Sequence, residues 1–325
     1  MIGVMPLYEP RHPSRSETVD VRGLPYHVRL WGEPSTERPP LVLLHGWMDV
    51  SASWQFVVDA LAESRFVVAP DWRGFGRTPG GPGGPVDNHW MPDYLADLEW
   101  LLDHFAGDTP VDLVGHSMGG NIAMQYGGVR PARVRRLVNL EGFGMPALAP
   151  QDAPRRHADW IDQLKRLHRG ELALQTYDGP EGVARRLTKT NPRIAPDKAL
   201  WLARHWAAPV DGATGDGGRG GDGGARWAIL GDAAHKVVNA QIYRADEAVA
   251  AYACIAAPVL AVEAADDSFA RWKGRYTRDE YRARLAAVPD ARIAVVQDAG
   301  HMLHHDQPLR VARLIEDFLR PSPSA

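Results

Sequence analysis

The sequence predicts an α/β fold in which helices cover both faces of a mostly parallel sheet. Short runs of β-branched and aliphatic residues alternate with longer segments of helical periodicity, which is the pattern of strands joined by crossover helices. The runs are apolar almost without interruption, as expected of strands buried on both faces. They lie at 40–44 (PLVLL), 66–69 (FVVA), 111–114 (VDLV), 134–140 (VRRLVNL), 259–262 (VLAV) and 293–296 (IAVV).

Local patterns predict the remaining elements of this core. The segment 18–31 has a Gly-Leu-Pro turn at its middle and is predicted to form an antiparallel hairpin that feeds the edge of the sheet. A helix is expected after each strand because parallel strands need a long crossover connection. The helices are predicted at about 54–63, 91–105, 118–127, 278–287 and 308–319.

Composition narrows the class of protein. Hydrophobic residues make up 45% of the chain and charged residues 24%, which excludes a disordered or fibrous protein. The net charge of -3 gives no field that would recruit nucleic acid or an anionic membrane, so neither is expected as a partner. The charge does not identify the partner, and the small-molecule substrate that we expect is inferred from the motifs described below. The single cysteine, Cys254, excludes an intramolecular disulfide and a cysteine-based metal cluster. No signal peptide or membrane span is recognised, so a cytoplasmic protein is expected, and the sequence does not indicate its oligomeric state.

The strand-helix alternation is interrupted between 143 and 257. This segment has helical periodicity at 159–168 and 197–206 but no convincing strand of the central sheet. We therefore predict a core formed by 1–142 and 258–325, with 143–257 as an insertion. Eight glycines lie within 211–224 without the fixed period of a calcium-binding repeat, which predicts a flexible surface loop. Aromatic residues of the insertion could contact a substrate or only pack within it: Trp160, Trp201, Trp206, Trp227 and Tyr243.

A candidate nucleophile lies directly after the strand at 111–114. The segment 115–120 (GHSMGG) matches G-x-S-x-G between a strand and a helix, where glycines allow a sharp turn that presents the Ser117 hydroxyl at the carboxyl edge of the sheet. Serine is a weak nucleophile and needs a base. His301 follows the last predicted strand and would reach the same edge, so it is the predicted base.

The carboxylate that should orient this histidine has three candidates. Asp267 and Asp266 follow the strand at 259–262, and Glu141 follows the strand at 134–140. Each preserves the chain order serine, acid, histidine. Asp267 is preferred, with Glu141 as the alternative and Asp266 third.

Two backbone N–H groups are predicted to stabilise an oxyanion. They belong to Trp47, in the turn after the strand at 40–44, and to Met118, which follows the candidate nucleophile. The Gly-punctuated segment 71–78 matches neither a phosphate-binding loop nor a dinucleotide fingerprint, and no zinc motif is found. The sequence therefore predicts neither a cofactor nor a metal.

Together these motifs resemble the α/β-hydrolase family, in the lid-bearing branch that includes esterases and haloperoxidase-like enzymes without a cofactor. The resemblance spans about 41–319 and rests on 45–47 (HGW), 71–78 (DWRGFGRT), 115–120 (GHSMGG) and 298–308 (DAGHMLHHDQP). It implies a helical cap inserted after the sixth strand. It also implies Ser117 as nucleophile, His301 as base, and Trp47 and Met118 as oxyanion donors.

The resemblance leaves the acid open. The family's acid usually follows the seventh strand, where 258–267 aligns with its pattern except that Ala264 replaces a glycine. Some dehalogenase-like members instead place the acid after the sixth strand, and 140–146 (LEGFGMP) resembles that version.

The residue at the nucleophile position separates branches of the family. Epoxide hydrolases and haloalkane dehalogenases use aspartate where this chain has Ser117. The resemblance thus implies a serine hydrolase of a small or medium ester, lactone or related acyl compound. Alternatives are a carbon-carbon bond hydrolase or perhydrolase at the same triad, and a non-catalytic binding protein that keeps the fold.

Overall fold

The structure, a computed structural model, describes residues 7–84, 86–210 and 226–320. The loop predicted at 211–224 lies outside the described residues. The strands within the described ranges are β1 (Arg15–Val21), β2 (Leu24–Trp31), β3 (Leu41–Leu44), β4 (Val67–Pro70), β5 (Val111–His116), β6 (Val134–Leu140), β7 (Thr176–Asp178), β8 (Ala207–Pro209), β9 (Arg226–Ile229), β10 (Val259–Ala264) and β11 (Ala291–Val296).

The central sheet has the order β1-β2-β4-β3-β5-β6-β10-β11. The first two strands form an antiparallel hairpin, β2 pairs antiparallel with β4, and the strands from β4 to β11 run parallel. The predicted α/β class and its mostly parallel sheet are confirmed. Because β3, β5, β6 and β10 lie side by side, the loops at their carboxyl ends meet at one edge of the sheet.

Helices cover both faces of this sheet. The helices within the described ranges are α1 (Gln55–Val58), α2 (Met91–Ala106), α3 (Met118–Val129), α4 (Ala153–His168), α5 (Gly179–Thr190), α6 (Pro196–Trp206), α7 (Ala245–Ala253), α8 (Arg278–Leu285), α9 (Leu303–Asp306) and α10 (Pro308–Leu319). Of these, α4, α5 and α6 belong to the segment between β6 and β10 and not to the layers on the central sheet. Apolar side chains of α2, α3, α7 and α8 form the core on one face, and those of α1, α9 and α10 form it on the other. Helix α10 buries Val311, Ile315 and Phe318, whose spacing of three to four residues gives one apolar stripe.

One predicted helix is much shorter in the structure. The segment expected to be helical over 54–63 is a 3₁₀ turn at Ser51–Trp54 followed by the single turn α1. The amides of Ala62 and Glu63 donate to the Glu316 carboxylate of α10, at 2.8 and 2.9 Å, in place of backbone carbonyls. Hydrogen bonds to Glu316 thus take the place of the last turn of the predicted helix.

The segment between β6 and β10 contains the predicted helices as α4 and α6, and also a small antiparallel sheet in the order β7-β9-β8. Sequence periodicity missed this sheet because its strands have only three or four residues. Helix α7 packs against α3, where a Cβ on Gly128 would lie 2.0 Å from the Ala251 carbonyl oxygen. The insertion predicted over 143–257 therefore also contains α7, which packs on a helix of the central core. Among the described residues, no helix combines the length and apolar character required to cross a membrane.

Candidate active site

The predicted nucleophile lies at a strained turn between β5 and α3. Ser117 has φ 51° and ψ -111°, a conformation that costs a non-glycine residue about 1–3 kcal/mol. The turn closes because Gly119 has no side chain: a Cβ there would lie 2.2 Å from the Leu44 carbonyl oxygen. The geometry places the Ser117 hydroxyl at the carboxyl edge of the sheet, as the sequence predicts.

His301 follows β11 and reaches Ser117 from across this edge. Its Nε2 lies 3.0 Å from Ser117 Oγ, and its Nδ1 lies 3.2 Å from Glu141 Oε2. With the proton on Nδ1, the imidazole donates to the carboxylate and offers its Nε2 lone pair to the serine hydroxyl. The three side chains therefore have the contacts that a serine, a base and an orienting acid require.

Glu141 is held by the turn that ends β6. It has φ 56°, and the side chain of Asn139 closes the turn by accepting from Gly142 N at 3.0 Å and donating to the Gly142 carbonyl at 2.8 Å. The neighbouring strand β10 fixes the carboxylate further, since Ala264 N donates to Glu141 Oε1 at 2.6 Å. Glu141 is only 2% exposed, so its side chain has little freedom to leave His301.

The preferred acid of the sequence prediction lies elsewhere. Asp267 Oδ1 accepts from Phe269 N at 3.0 Å and so begins the 3₁₀ turn Ser268–Trp272. Asp266 forms a surface ion pair with Arg193 at 2.7 Å. The contact with His301 that was expected of Asp267 is made by Glu141, because Asp267 is bonded within its own turn and Asp266 is paired with an arginine of the inserted segment.

Burial sets the protonation behaviour of this pair. It raises the pKa of Glu141 to about 6, and it lowers the pKa of His301 well below its usual range, with the positive charge of Arg271 lowering it further. The imidazole is therefore neutral at neutral pH and available to accept a proton.

The two predicted oxyanion donors face the same edge. Met118 N is at the first position of α3 and has no acceptor within the helix. The turn at 45–47 packs directly on the nucleophile, where a Cβ on Gly46 would lie 3.2 Å from Ser117 Cβ. Neither Trp47 N nor Met118 N donates to another group of the described residues, so each amide keeps a hydrogen bond to donate.

The 71–78 segment supports the turn that carries Trp47. Trp72 N donates to His45 Nε2 at 2.9 Å, while the Trp72 indole N–H donates to the His45 carbonyl at 3.2 Å. His45 is fully buried, so these bonds lock the two loops together. The 71–78 segment therefore lies beside the site because Trp72 is bonded to His45.

A cavity of about 450 Å³ opens onto Ser117 and His301. Its walls combine residues of the core with side chains of the insertion, among them Leu174, Leu187, Ile194, Trp206 and Ile229. Of the five aromatic residues singled out in the insertion, Trp206 lines this cavity, and its indole N–H donates to the Met48 carbonyl at 2.8 Å. Trp201 instead packs against Tyr8 and Phe56. The volume suits a small or medium ligand.

One cluster of described side chains beside the triad has metal-ligand character. Potential ligand atoms of Asp49, His116 and His304 all lie within 4.8 Å of one another, and the three residues are buried. His116 Nε2 also contacts the His301 carbonyl oxygen at 2.7 Å, which ties the strand before the nucleophile to the loop of the base.

The curated proteins that this chain resembles include hydrolases from animals and bacteria. A "serine hydrolase-like protein" of Danio rerio is 26% identical over 296 residues, which is 90% of this chain and 84% of that protein. The 2-hydroxymuconate semialdehyde hydrolase of a Pseudomonas strain is 37% identical over 110 residues, 33% of this chain and 37% of the relative. Among solved structures, a thioesterase domain from the curacin biosynthetic pathway superposes with a TM-score of 0.75 at 22% identity, covering 94% of this chain and 99% of that one.

The family model of the alpha/beta hydrolase fold matches residues 39–308, which include every strand of the central sheet after the hairpin and all three side chains of the triad geometry. The two relatives described above are named as hydrolases. The chain is therefore an enzyme of the α/β-hydrolase family.

Proposed function

We propose that this enzyme is a serine hydrolase that cleaves a small or medium ester, lactone or related acyl substrate through an acyl-enzyme. One observation carries the proposal: His301 lies 3.0 Å from Ser117 Oγ and 3.2 Å from Glu141 Oε2, at the floor of a 450 Å³ cavity. Ser117 is the nucleophile, His301 the general base and Glu141 the orienting acid.

The reaction follows from these contacts. Ser117 Oγ attacks the substrate carbonyl carbon while His301 Nε2 takes the hydroxyl proton, and the amides of Trp47 and Met118 donate to the oxyanion. The tetrahedral intermediate expels the leaving alcohol, which receives the proton from Nε2. Water then attacks the acyl-enzyme with His301 again as base, and the carboxylic acid product leaves. Glu141 stabilises the imidazolium in both steps.

The insertion acts as the cap of this site. Its side chains supply most of the apolar wall of the cavity, so the acyl chain binds between the insertion and the edge of the sheet. This enclosure limits water around the oxyanion, which strengthens its hydrogen bonds to the two amides. The substrate's acyl length should therefore depend on cap residues such as Leu187 and Trp206.

The proposal is tested with Ser117→Ala on a panel of p-nitrophenyl esters from acetate to octanoate. Loss of hydrolysis in this variant, with wild-type rates in the surface control Ser64→Ala, supports the proposal. A fluorophosphonate probe should label Ser117 in the wild-type protein. Hydrolysis retained by Ser117→Ala contradicts the triad assignment. Turnover of a vinylogous diketone with no turnover of esters favours carbon-carbon bond hydrolysis, and absence of labelling in the folded protein favours a binding role.

A further inference from the structure

An arginine stands at the reacting nitrogen of the base. Arg271 belongs to the 3₁₀ turn Ser268–Trp272, and its Nη1 lies 3.3 Å from His301 Nε2. The same nitrogen lies 3.0 Å from Ser117 Oγ. The guanidinium and the serine hydroxyl therefore compete for one lone pair.

The guanidinium of Arg271, an exposed residue, rests on a side chain of its own loop. It stacks on the neighbouring indole, with Arg271 Cζ 4.1 Å from the centroid of the Trp272 ring. Trp272 is buried against Phe269 and Tyr276, and Asp267 caps the turn that carries both residues. The loop after β10, which does not supply the acid, instead holds a cation beside the base.

Arg271 differs in its ion pairing from Arg193, which also lies beside the loop after β10. Among the described residues, no carboxylate lies within ion-pair distance of Arg271, whereas the nearby Arg193 is paired with Asp266. The buried carboxylate of Glu141 faces it from the far side of the imidazole. When Nε2 takes the serine proton, two positive groups face each other with no anion between them, which opposes formation of the imidazolium.

The position of Arg271 relative to the cavity and to His301 indicates which part of a bound substrate it would contact. The residue is not among those that line the apolar cavity, which accommodates the acyl chain. It lies beside Nε2, and Nε2 must reach the leaving oxygen to return its proton. A group near the guanidinium therefore belongs to the leaving alcohol.

We propose that Arg271 forms an anion-binding subsite that recognises a carboxylate on the leaving group of the substrate. The proposal rests on the proposed function and assigns its substrate class: acyl esters of short hydroxy acids, with the carboxylate a few bonds from the ester oxygen. A carboxylate accepts two parallel bonds from the planar guanidinium, draws it off Nε2 and neutralises its charge. The carboxylate itself is unchanged by the hydrolysis.

The test uses a matched pair of substrates, butanoyloxyacetate and its neutral amide butanoyloxyacetamide, with kcat and KM measured for the full chain. The wild type should prefer the anionic ester. In Arg271→Gln, kcat/KM for the anionic ester should fall by about ten- to a hundredfold, the loss expected for a charged hydrogen bond. The rate on the neutral ester should rise by about two- to fivefold because the competing donor is gone. Arg275→Gln, an exposed arginine of the same loop, is the control and should leave both values unchanged.

Other outcomes distinguish a failure of the Arg271 subsite from a failure of the proposed serine hydrolase activity. An equal fall on both esters in Arg271→Gln, or a wild type without preference for the anionic ester, overturns the subsite while leaving the serine hydrolase intact. Absence of hydrolysis of either ester, together with absence of fluorophosphonate labelling at Ser117, overturns the proposed function and the subsite with it. A melting temperature of Arg271→Gln equal to that of the wild type shows that the variant is folded.

Discussion

The turns after β6 and β10 are neighbours in the sheet, and both carry acidic residues, yet they have different surroundings. After β6, Glu141 is 2% exposed, and the closed turn directs it to His301. After β10, Asp267 caps a turn, while Asp266 has half of its side chain in solvent and pairs with Arg193. The direction and burial of a carboxylate, rather than its position at a strand end, decide whether it can orient the base.

The two loops consequently contribute opposite charges to the site. The β6 loop places a buried carboxylate against His301 Nδ1, and the β10 loop places the Arg271 guanidinium near Nε2. In the proposed mechanism the carboxylate stabilises the imidazolium and the guanidinium opposes it. Substitutions in the two loops test this division of roles.

The largest effect is expected for Glu141→Gln. The amide cannot stabilise the imidazolium or fix the Nδ1 tautomer, so kcat on a p-nitrophenyl ester should fall by about 10³–10⁴-fold. Asp267→Asn is the matched change in the other loop and should retain activity. A large loss in Asp267→Asn with activity retained in Glu141→Gln reverses the comparison.

Asn139→Ala should have the next largest effect. Its side chain makes both bonds that close the turn before the acid, at 2.8 and 3.0 Å. Their loss lets Glu141 shift relative to His301, and a displacement of about 1 Å can reduce the rate by about a hundredfold. Steady-state kinetics should show a lower kcat with little change in KM. An unchanged kcat means that β10 alone holds the acid.

Stability should respond to pH through Glu141. Burial raises its pKa in the folded state to about 6 from 4.5, so its contribution to stability is full below pH 4.5 and is lost as the pH rises through 6. This shift corresponds to about 2 kcal/mol. In urea unfolding, Glu141→Gln should therefore gain up to about that much relative to wild type at pH 8, and less at pH 5. An equal difference between the two proteins at both pH values contradicts this prediction.

The smallest effect on activity is expected for Asp267→Ala. It removes the cap of the turn Ser268–Trp272, which should lower the free energy of unfolding by about 1 kcal/mol. Ester hydrolysis should change by no more than about threefold because the triad contacts are untouched. Chemical denaturation and steady-state kinetics on the same preparation check both parts. A hundredfold loss of activity would return Asp267 to the list of candidate acids.

Sequence patterns were sufficient to predict the sheet, because apolar strands leave a local signature. They also predict that Ser117 and His301 meet at one edge of it, where the structure places His301 Nε2 3.0 Å from Ser117 Oγ. The contact of Glu141 with His301 depends on the positive φ of Glu141, which hydrophobic periodicity does not reveal. The signal that could have identified it is the turn chemistry of Asn139 and Gly142 around the acid. The shortened helix near 59–63 depends on Glu316, which is about 250 residues away along the chain and invisible to local patterns.

The central claim is that Glu141, and not an acid of the β10 loop, activates Ser117 through His301. It is tested most directly by the rate at which a fluorophosphonate labels Ser117, mapped by peptide mass spectrometry, in wild type, Glu141→Gln and Asp267→Asn. We predict that labelling slows by about a thousandfold or more in Glu141→Gln and stays within about threefold of wild type in Asp267→Asn. Wild-type labelling of Glu141→Gln, with slow labelling of Asp267→Asn, would contradict the claim.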